Sequence, residues 1–369
     1  MRSLFQKTIF SMAIAIFSMF FGAGNAIFPL VLGMQAGTQY GWAFLGLLVT
    51  GIGGPLLGLL GGTLYRGHCT YFFGRAGKIA GPILIGLTLA MLGPFAVLPR
   101  CVTVAHAAIS PLMNGLGLTI FAPIFCFIAL LLCFKRKFLL PVLGYVLSPI
   151  LISCLFLIIS QSFFMPSPIE SMHVISAASA MGHGICTGYE TMDLIASIYF
   201  SAGIWTMIEI HSDNKSPKHV FSTTLKAGLL GCFFLALIYL GLTHAAAVYA
   251  PYLVTTPQEQ LMTKLANTAL GPTLGIVANI AIALACLTTV ISLVMTIAQI
   301  ISCQISHGKI SYKGALILQL VITSMIAPIG FSGIMMLIHY PITIAYPVII
   351  VLTIINIIFK LRRRDLLPS

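Results

Sequence analysis

Charge is scarce in this sequence. Charged side chains make up 7% of its 369 residues, and only seven residues are Asp or Glu. Soluble domains carry about 25% charged residues, so composition argues against a water-soluble fold. Nine cysteines are present, yet no two have CxxC spacing. Most, including Cys101, Cys126, Cys133, Cys154, Cys232 and Cys286, lie inside apolar runs. They read as buried free thiols rather than bridges or a zinc site. Nine histidines are scattered without an HExxH pairing, and no serine nucleophile with a histidine base is read in the sequence. An intramembrane enzyme therefore lacks its nucleophile, its base and its metal, and the chain is read as a non-enzyme. Repeated filter residues, which a channel would need, are also missing.

Hydrophobic residues are abundant, at 59%, with a mean hydropathy of +1.06. The chain reads as an all-α polytopic membrane protein. At about 20 residues per crossing, ten spans are expected, at about 8–34, 41–64, 80–108, 117–134, 139–160, 187–208, 224–247, 272–302, 314–330 and 334–359. The opening stretch resembles a signal peptide, but apolar character resumes after Asn25, so an uncleaved first span is expected. The third span carries Pro94 and Pro99 and should kink. The net charge of +12 gathers in short clusters between apolar runs, which argues for loops at a membrane surface and against nucleic acid. All but two of the 19 Lys and Arg residues fall in 2–7, 66–78, 135–137, 215–226, 309–313 and 360–364. Lys264 lies in an opposite connection and Arg100 within a span. The positive-inside rule then puts both termini in the cytoplasm. Of two long outer connections, 161–186 and 248–271, the second has amphipathic helical spacing suited to covering the outer mouth.

The second span reads "GIGGPLLGLLGG". It lacks the Lys-Ser/Thr ending of a phosphate loop. Gly54, Gly58 and Gly62 instead share one helix face and form a ridge for close helix packing.

Two spans carry weak points. The first reads "FSMFFGAGNAIFPLVLGM", with Gly22, Ala23, Gly24 and Asn25 at mid-depth. Glycine weakens a helix by about 1 kcal/mol, and hydrocarbon cannot satisfy the Asn amide. The sixth approaches through "MGHGICTGYETMD", and 188–193 is a poor helix core. The two breaks are five spans apart. Five is odd, so the halves cross the bilayer in opposite senses, as in an inverted repeat of five plus five. Matching interruptions in such halves mark a midplane binding site. An unwound segment frees backbone groups that are tolerated only against protein, water or ligand. Freed N–H groups suit a carboxylate, freed carbonyls suit an ammonium or Na⁺, and a free amino acid needs both. Ionisable residues at membrane depth mark function. They are Arg100, Glu190 and Asp193. Arg100 paired to one of the acids would be structural; an unpaired acid would line a polar cavity. In the eighth span, "ALACLTTVISL" offers the hydroxyls of Thr288 and Thr289, which either bond back to their own helix or face a Na⁺.

"FFGAGNAIFPLVLGMQAG" with "GYETMDLIASIYF", "GPFAVLPR" and "ALACLTT" resembles the bacterial branched-chain amino acid–cation symporter family. The resemblance extends over nearly the whole chain. It implies a LeuT-type inverted repeat in a single transporter domain, with repeat one at about 8–160 and repeat two at about 187–359. It also implies uptake of leucine, isoleucine and valine across the bacterial inner membrane, driven by Na⁺ or H⁺. By similarity, Phe21, Gly22, Ala23, Gly24 and Asn25 would hold the substrate carboxylate. Tyr189, Glu190, Thr191, Met192 and Asp193 would hold the amino group and part of the side-chain pocket. A Na⁺ would sit between Phe21 and Ala285, Thr288 and Thr289. The family typically has about twelve spans, two more than expected here, and Glu190 departs from its pattern. A proton-coupled carrier of another amino acid or amine, using Glu190 or Asp193, is the alternative. The oligomeric state is left open.

Overall fold

The computed structural model describes residues 2–113, 115–134, 148–165, 175–211, 216–306 and 308–362. Among these, every regular element is helical. The first span is α1 (Arg2–Phe20) and α2 (Ile27–Ala36), separated by a short irregular stretch and a 3-10 turn. Gly37 (φ 48°) ends α2, and α3 (Tyr40–Leu47) runs through a π-helical turn at Leu48–Gly53 into α4 (Gly54–Leu64). A short α5 (Cys69–Gly74) leads to α6 (Ala80–Leu92) and α7 (Val97–Ile109). Their helix is interrupted at 93–96, around Pro94, as the proline pair predicts. Then come α8 (Leu118–Phe134) and α9 (Ser148–Phe164); the start of the expected fifth span, 139–147, lies outside the described residues.

The second half begins with α10 (Ala177–Glu190) and α11 (Asp193–His211). This corrects two expectations. The sixth span does not start at 187, and 177–186 is not part of a loop: it is the first half of that span, capped by the Ser176 hydroxyl on the Ser179 N–H. The many small residues of "AASAMGHGICTG" hide its helical character from a hydropathy reading, yet suit close packing against another helix. The chain continues through α12 (Pro217–Val248), α13 (Ala250–Leu253), α14 (Leu261–Gln299), α15 (Tyr312–Ile326) and α16 (Gly330–Arg362). Helix α14 breaks at Gly271 (φ 75°), so its first turns form a separate arm, as the amphipathic pattern of 248–271 anticipates. Leu261, Met262, Leu265 and Ala266 are the buried face of that arm. Among the described residues, six helical runs are long and apolar enough to cross a membrane, and three shorter apolar helices accompany them.

Packing follows a regular scheme. Helix α4 lies along α11 and α3 along α10, so span two embraces both halves of span six. Likewise α12 lies along both α1 and α2, so span seven embraces both halves of span one. Helix α7 packs on α14 and α8 on α15, while α9 meets α14 and α16 meets α7. Exchanging each span with the one five places away carries this set of contacts into itself.

The glycine ridge explains the closest of these contacts. A Cβ on Gly58 would stand 2.7 Å from the Leu194 carbonyl oxygen, and one on Gly62 2.7 Å from Ser201 Cβ and 2.9 Å from the Ile198 oxygen. Helix α4 can reach α11 only without those side chains. At Gly54 the nearest atom, Leu194 Cβ, is 3.8 Å away, an ordinary contact. Gly62→Val should therefore cost about 1–3 kcal/mol by overpacking and lower the melting temperature in detergent, whereas Gly54→Ala should leave it unchanged. Equal melting of both variants would show that the ridge does not set this spacing.

Candidate functional site

The two breaks meet. Helix α1 ends at Phe20, Phe21 and Gly22 are irregular, and a 3-10 turn over Ala23–Ala26 precedes α2. The α-helix is thus interrupted over all of the expected Gly22–Asn25, and within the interruption a tighter turn keeps local hydrogen bonds such as Asn25 N–H to the Gly22 oxygen at 3.0 Å. In the sixth span only Thr191 and Met192 leave the helix; Gly188, Tyr189 and Glu190 remain helical. Met192 takes a φ of 61°, a left-handed conformation rare for a side chain of this size, while fully buried.

Each end of the sixth-span break has a partner. The Thr191 hydroxyl donates to the Gly188 oxygen at 3.0 Å, Met192 N–H donates to the Tyr189 oxygen at 3.2 Å, and an Arg100 Nη1 donates to the Glu190 oxygen at 2.7 Å. Arg100 thus caps the carbonyl end of α10, where a helix dipole favours a cation. Asp193 opens α11, where the dipole favours an anion. The Leu194 N–H, one of that helix's unpaired donors, is taken by the Tyr346 hydroxyl at 3.1 Å. The simple ion pair of Arg100 with an acid is replaced by this capping arrangement. Both Arg100 and Asp193 are buried, and Arg100 Nε has no hydrogen-bond partner. The Arg100 guanidinium also lies 5.2 Å from the Phe28 ring.

Asn25 ties the breaks together. Its amide nitrogen donates to Asp193 Oδ1 at 2.6 Å and Oδ2 at 2.8 Å, and to the Phe20 oxygen at 2.8 Å. One side chain thereby satisfies the last carbonyl of α1 and the carboxylate at the start of α11. The Tyr239 hydroxyl from α12 is within electrostatic reach of Asp193 and beside Asn25, but makes no hydrogen bond of ordinary geometry.

A cavity of about 560 Å³ opens at this junction. Of the expected residues, Gly22, Asn25, Arg100, Thr191, Asp193 and Thr289 line it. Phe21, Tyr189, Glu190, Met192, Ala285 and Thr288 do not. Phe21 stacks on Phe17 at 5.6 Å, and Tyr189 packs on Tyr346 at 4.8 Å. Glu190 contributes its carbonyl, and its carboxylate feels Arg100 and His339. For Ala23 and Gly24 the structure gives the 3-10 backbone. Thr289 faces the first break: a Cβ on Gly22 would lie 3.6 Å from Thr289 Oγ1. Thr288 and Thr289 both donate to the Ala285 oxygen at 2.9 Å, which leaves the hydroxyl lone pairs available.

Sequence reasoning missed the rest of the polar face of α14. Thr289, Ser292, Thr296 and Gln299 all line the cavity, at helical spacing. Their signal was the polar periodicity inside an apolar helix. Tyr199, Ser18 and Gln304 also line it, and no local pattern distinguishes them. From the breaks the cavity runs to Gly67 and Gln304, toward the face carrying Arg66 and Lys309.

Comparison with known proteins decides the family. A model described as branched-chain amino acid transport protein matches residues 5–366. The chain belongs to that family. A protein of Staphylococcus aureus (strain USA300), provisionally named a branched-chain amino acid carrier, is 28% identical over 379 residues, covering 96% of this chain and 83% of the relative. A similarly named protein of Staphylococcus saprophyticus is 29% identical over 366 residues, covering 94% and 80%. The fold is shared with the crystal structure of the Eremococcus coleocola manganese transporter, with a TM-score of 0.57 at 15% identity, covering 97% of this chain and 76% of that one. This member of the branched-chain amino acid transport family is thus a multi-pass helical membrane protein with a transporter fold.

The Asn25–Asp193 bond has a measurable weight. Asn25→Ala leaves a buried carboxylate without its donor, and a hydrogen bond to a charged group contributes about 1.5–3 kcal/mol. In a thermal double-mutant cycle with Asp193→Ala, the double variant should lose less than the sum of the singles by about that amount. Additive losses would show that the breaks are joined by something else.

Proposed function

We propose that this protein imports branched-chain amino acids by symport with Na⁺ through alternating access. The observation that carries this reading is the charge of the cavity lining: one cation, Arg100, and one anion, Asp193, among small, apolar, hydroxyl and amide side chains. That is the complement of a zwitterion with an aliphatic side chain. The volume falls within the range of about 300–1,000 Å³ usual for small-molecule sites. In this reading the N–H groups at the start of the Ala23–Ala26 turn and the Arg100 guanidinium receive the substrate carboxylate. Asp193 receives the ammonium, a role suited to a carboxylate whose described hydrogen-bond donor side chain is the neutral Asn25 amide. The carbonyls of the sixth-span break are already capped, which moves this role from backbone to the Asp193 side chain.

The Na⁺ reading rests on hard oxygens facing the first break. Thr289 is one turn beyond Ala285 and next to Gly22, and the lone pairs of Thr288 and Thr289 suit a hard cation. Alternating access is supported by the direction of the cavity, which leaves the breaks toward the strongly basic, cytoplasmic face. The exchange symmetry of helix contacts supports the five-plus-five repeat of the LeuT type, with repeats at about 8–160 and 187–359. The distribution of Lys and Arg supports cytoplasmic termini, and placement in the bacterial inner membrane follows from the family in this reading. Proton coupling is the second reading, favoured by the burial of Asp193.

Leucine uptake into proteoliposomes separates the two. An inward Na⁺ gradient should drive accumulation. Thr289→Val, which removes one oxygen at constant shape, should shift the Na⁺ activation curve to higher concentration. Asp193→Asn should abolish uptake while the protein still inserts. Uptake that ignores Na⁺ and follows the pH gradient would overturn the Na⁺ reading in favour of the proton. Uptake by Asp193→Asn at the wild-type rate would overturn the role of the acid.

A further inference from the structure

The polar face of α14 continues below the breaks, and the site above does not use its lower part. Thr289, Ser292 and Thr296 follow one another at one-turn steps along the cavity wall, and Gln299 ends the row. By helical rise, Thr289 and Thr296 stand about 10 Å apart. Each hydroxyl proton is already committed to the helix. Thr289 Oγ1 donates to the Ala285 oxygen at 2.9 Å, Ser292 Oγ to the Thr289 oxygen at 2.9 Å, and Thr296 Oγ1 to the Ser292 oxygen at 2.8 Å. A hydroxyl has one proton and two lone pairs, so only lone pairs remain for the cavity. Among the described residues, none of the three oxygens accepts a hydrogen bond in return.

A second wall, from α11, repeats this polarity. Tyr199 lines the cavity, and its hydroxyl meets Thr88 Oγ1 at 2.5 Å. The Thr88 proton goes to the Leu84 oxygen at 2.7 Å, so Tyr199 is the donor in the pair and its oxygen too keeps only lone pairs. At the mouth the polarity changes. Gln304 Oε1 accepts from the Cys69 N–H at 3.1 Å and from Cys69 Sγ at 3.0 Å. A backbone N–H can only donate, so the Gln304 oxygen is turned to Cys69 and its NH2 group is what is left over.

Oxygens whose protons are engaged elsewhere give an anion no donor. They complement a cation, and a small hard cation takes such ligands. We propose that Ser292 and Thr296 form a second cation step, below the one at Thr288 and Thr289, by which Na⁺ leaves the first break for the cytoplasm. The step ends at Gln304, where acceptors give way to donors. This inference rests on the Na⁺ reading above.

Transport in uniformly oriented proteoliposomes tests it, because the lower step faces the inside. Ser292→Ala and Thr296→Val should each shift the activation of leucine efflux by internal Na⁺ about fivefold to higher concentration, equivalent to about 1 kcal/mol for one lost oxygen ligand. Activation of uptake by external Na⁺ should keep its midpoint, and leucine exchange at saturating Na⁺ on both sides should keep its rate. Thr296→Ser, which restores the oxygen, should recover the wild-type efflux curve. If wild-type uptake and efflux both ignore Na⁺, the Na⁺ reading falls and this step with it. If the wild type responds to Na⁺ and the variants share its internal curve, only the lower step is overturned. Equal shifts of the internal and external curves would make the row part of the upper site and overturn a separate step. Exchange slowed as much as net efflux would assign the row to the ammonium of the amino acid and overturn Na⁺ as its occupant.

Discussion

The hydrogen bonds from the Asn25 amide to both oxygens of Asp193 are the constraint on which the rest of the structure depends. A helix broken inside a membrane leaves backbone groups that cost several kcal/mol each unless something meets them. Here two breaks are set against each other so that side chains can do so. Asn25 satisfies the end of α1 and restrains Asp193; Asp193 heads α11; Arg100 caps α10. Helix packing keeps these partners in place. The ridge of Gly58 and Gly62 lets α4 lie against α11 directly below Asp193, and α12 spans both halves of the first helix. The cavity is therefore a consequence of how the breaks are satisfied. It opens where the polar groups of the two breaks face one another.

Much of this was legible in the sequence because membrane helices restrict the choices. Long apolar runs give spans, and glycines with Asn at mid-depth give the break in the first. The Gly54–Gly58–Gly62 periodicity gave a packing face, and two of its three members are in tight contact. The proline pair located the interruption between α6 and α7. Legibility failed where composition and conformation part company. The half-helix Ala177–Glu190 is rich in small and polar residues, and its helicity comes from packing on α3 rather than from hydropathy. The conformation of Met192 is set by tertiary fit, since nothing about methionine favours a positive φ. Tyr346 and Tyr239 reach the site from distant spans, and single-sequence reasoning has no means of pairing them with Asp193.

The relation of site to family has the same character. Membership identifies a class of transport, whereas Arg100 and Asp193 set one cation and one anion about a single cavity, the arrangement on which the proposed recognition of a zwitterion rests. Arg100 contributes twice, as a cap for α10 and as a charge in the cavity wall. Hence the residue that stabilises the break is also part of the cavity wall, and in the proposed reading it is the one that meets the ligand. Movement of the halves of the first and sixth spans would then be felt directly at the substrate.

The central claim is that both charged ends of the substrate are read at the joined breaks. Calorimetric binding to the purified protein tests it by comparing leucine with 4-methylpentanoate, which lacks the ammonium, and 3-methylbutan-1-amine, which lacks the carboxylate. A site that leaves a buried polar group unpaired rejects the incomplete ligand strongly, so each should bind at least about 100-fold more weakly than leucine. Binding of either compound with an affinity close to that of leucine would contradict the account.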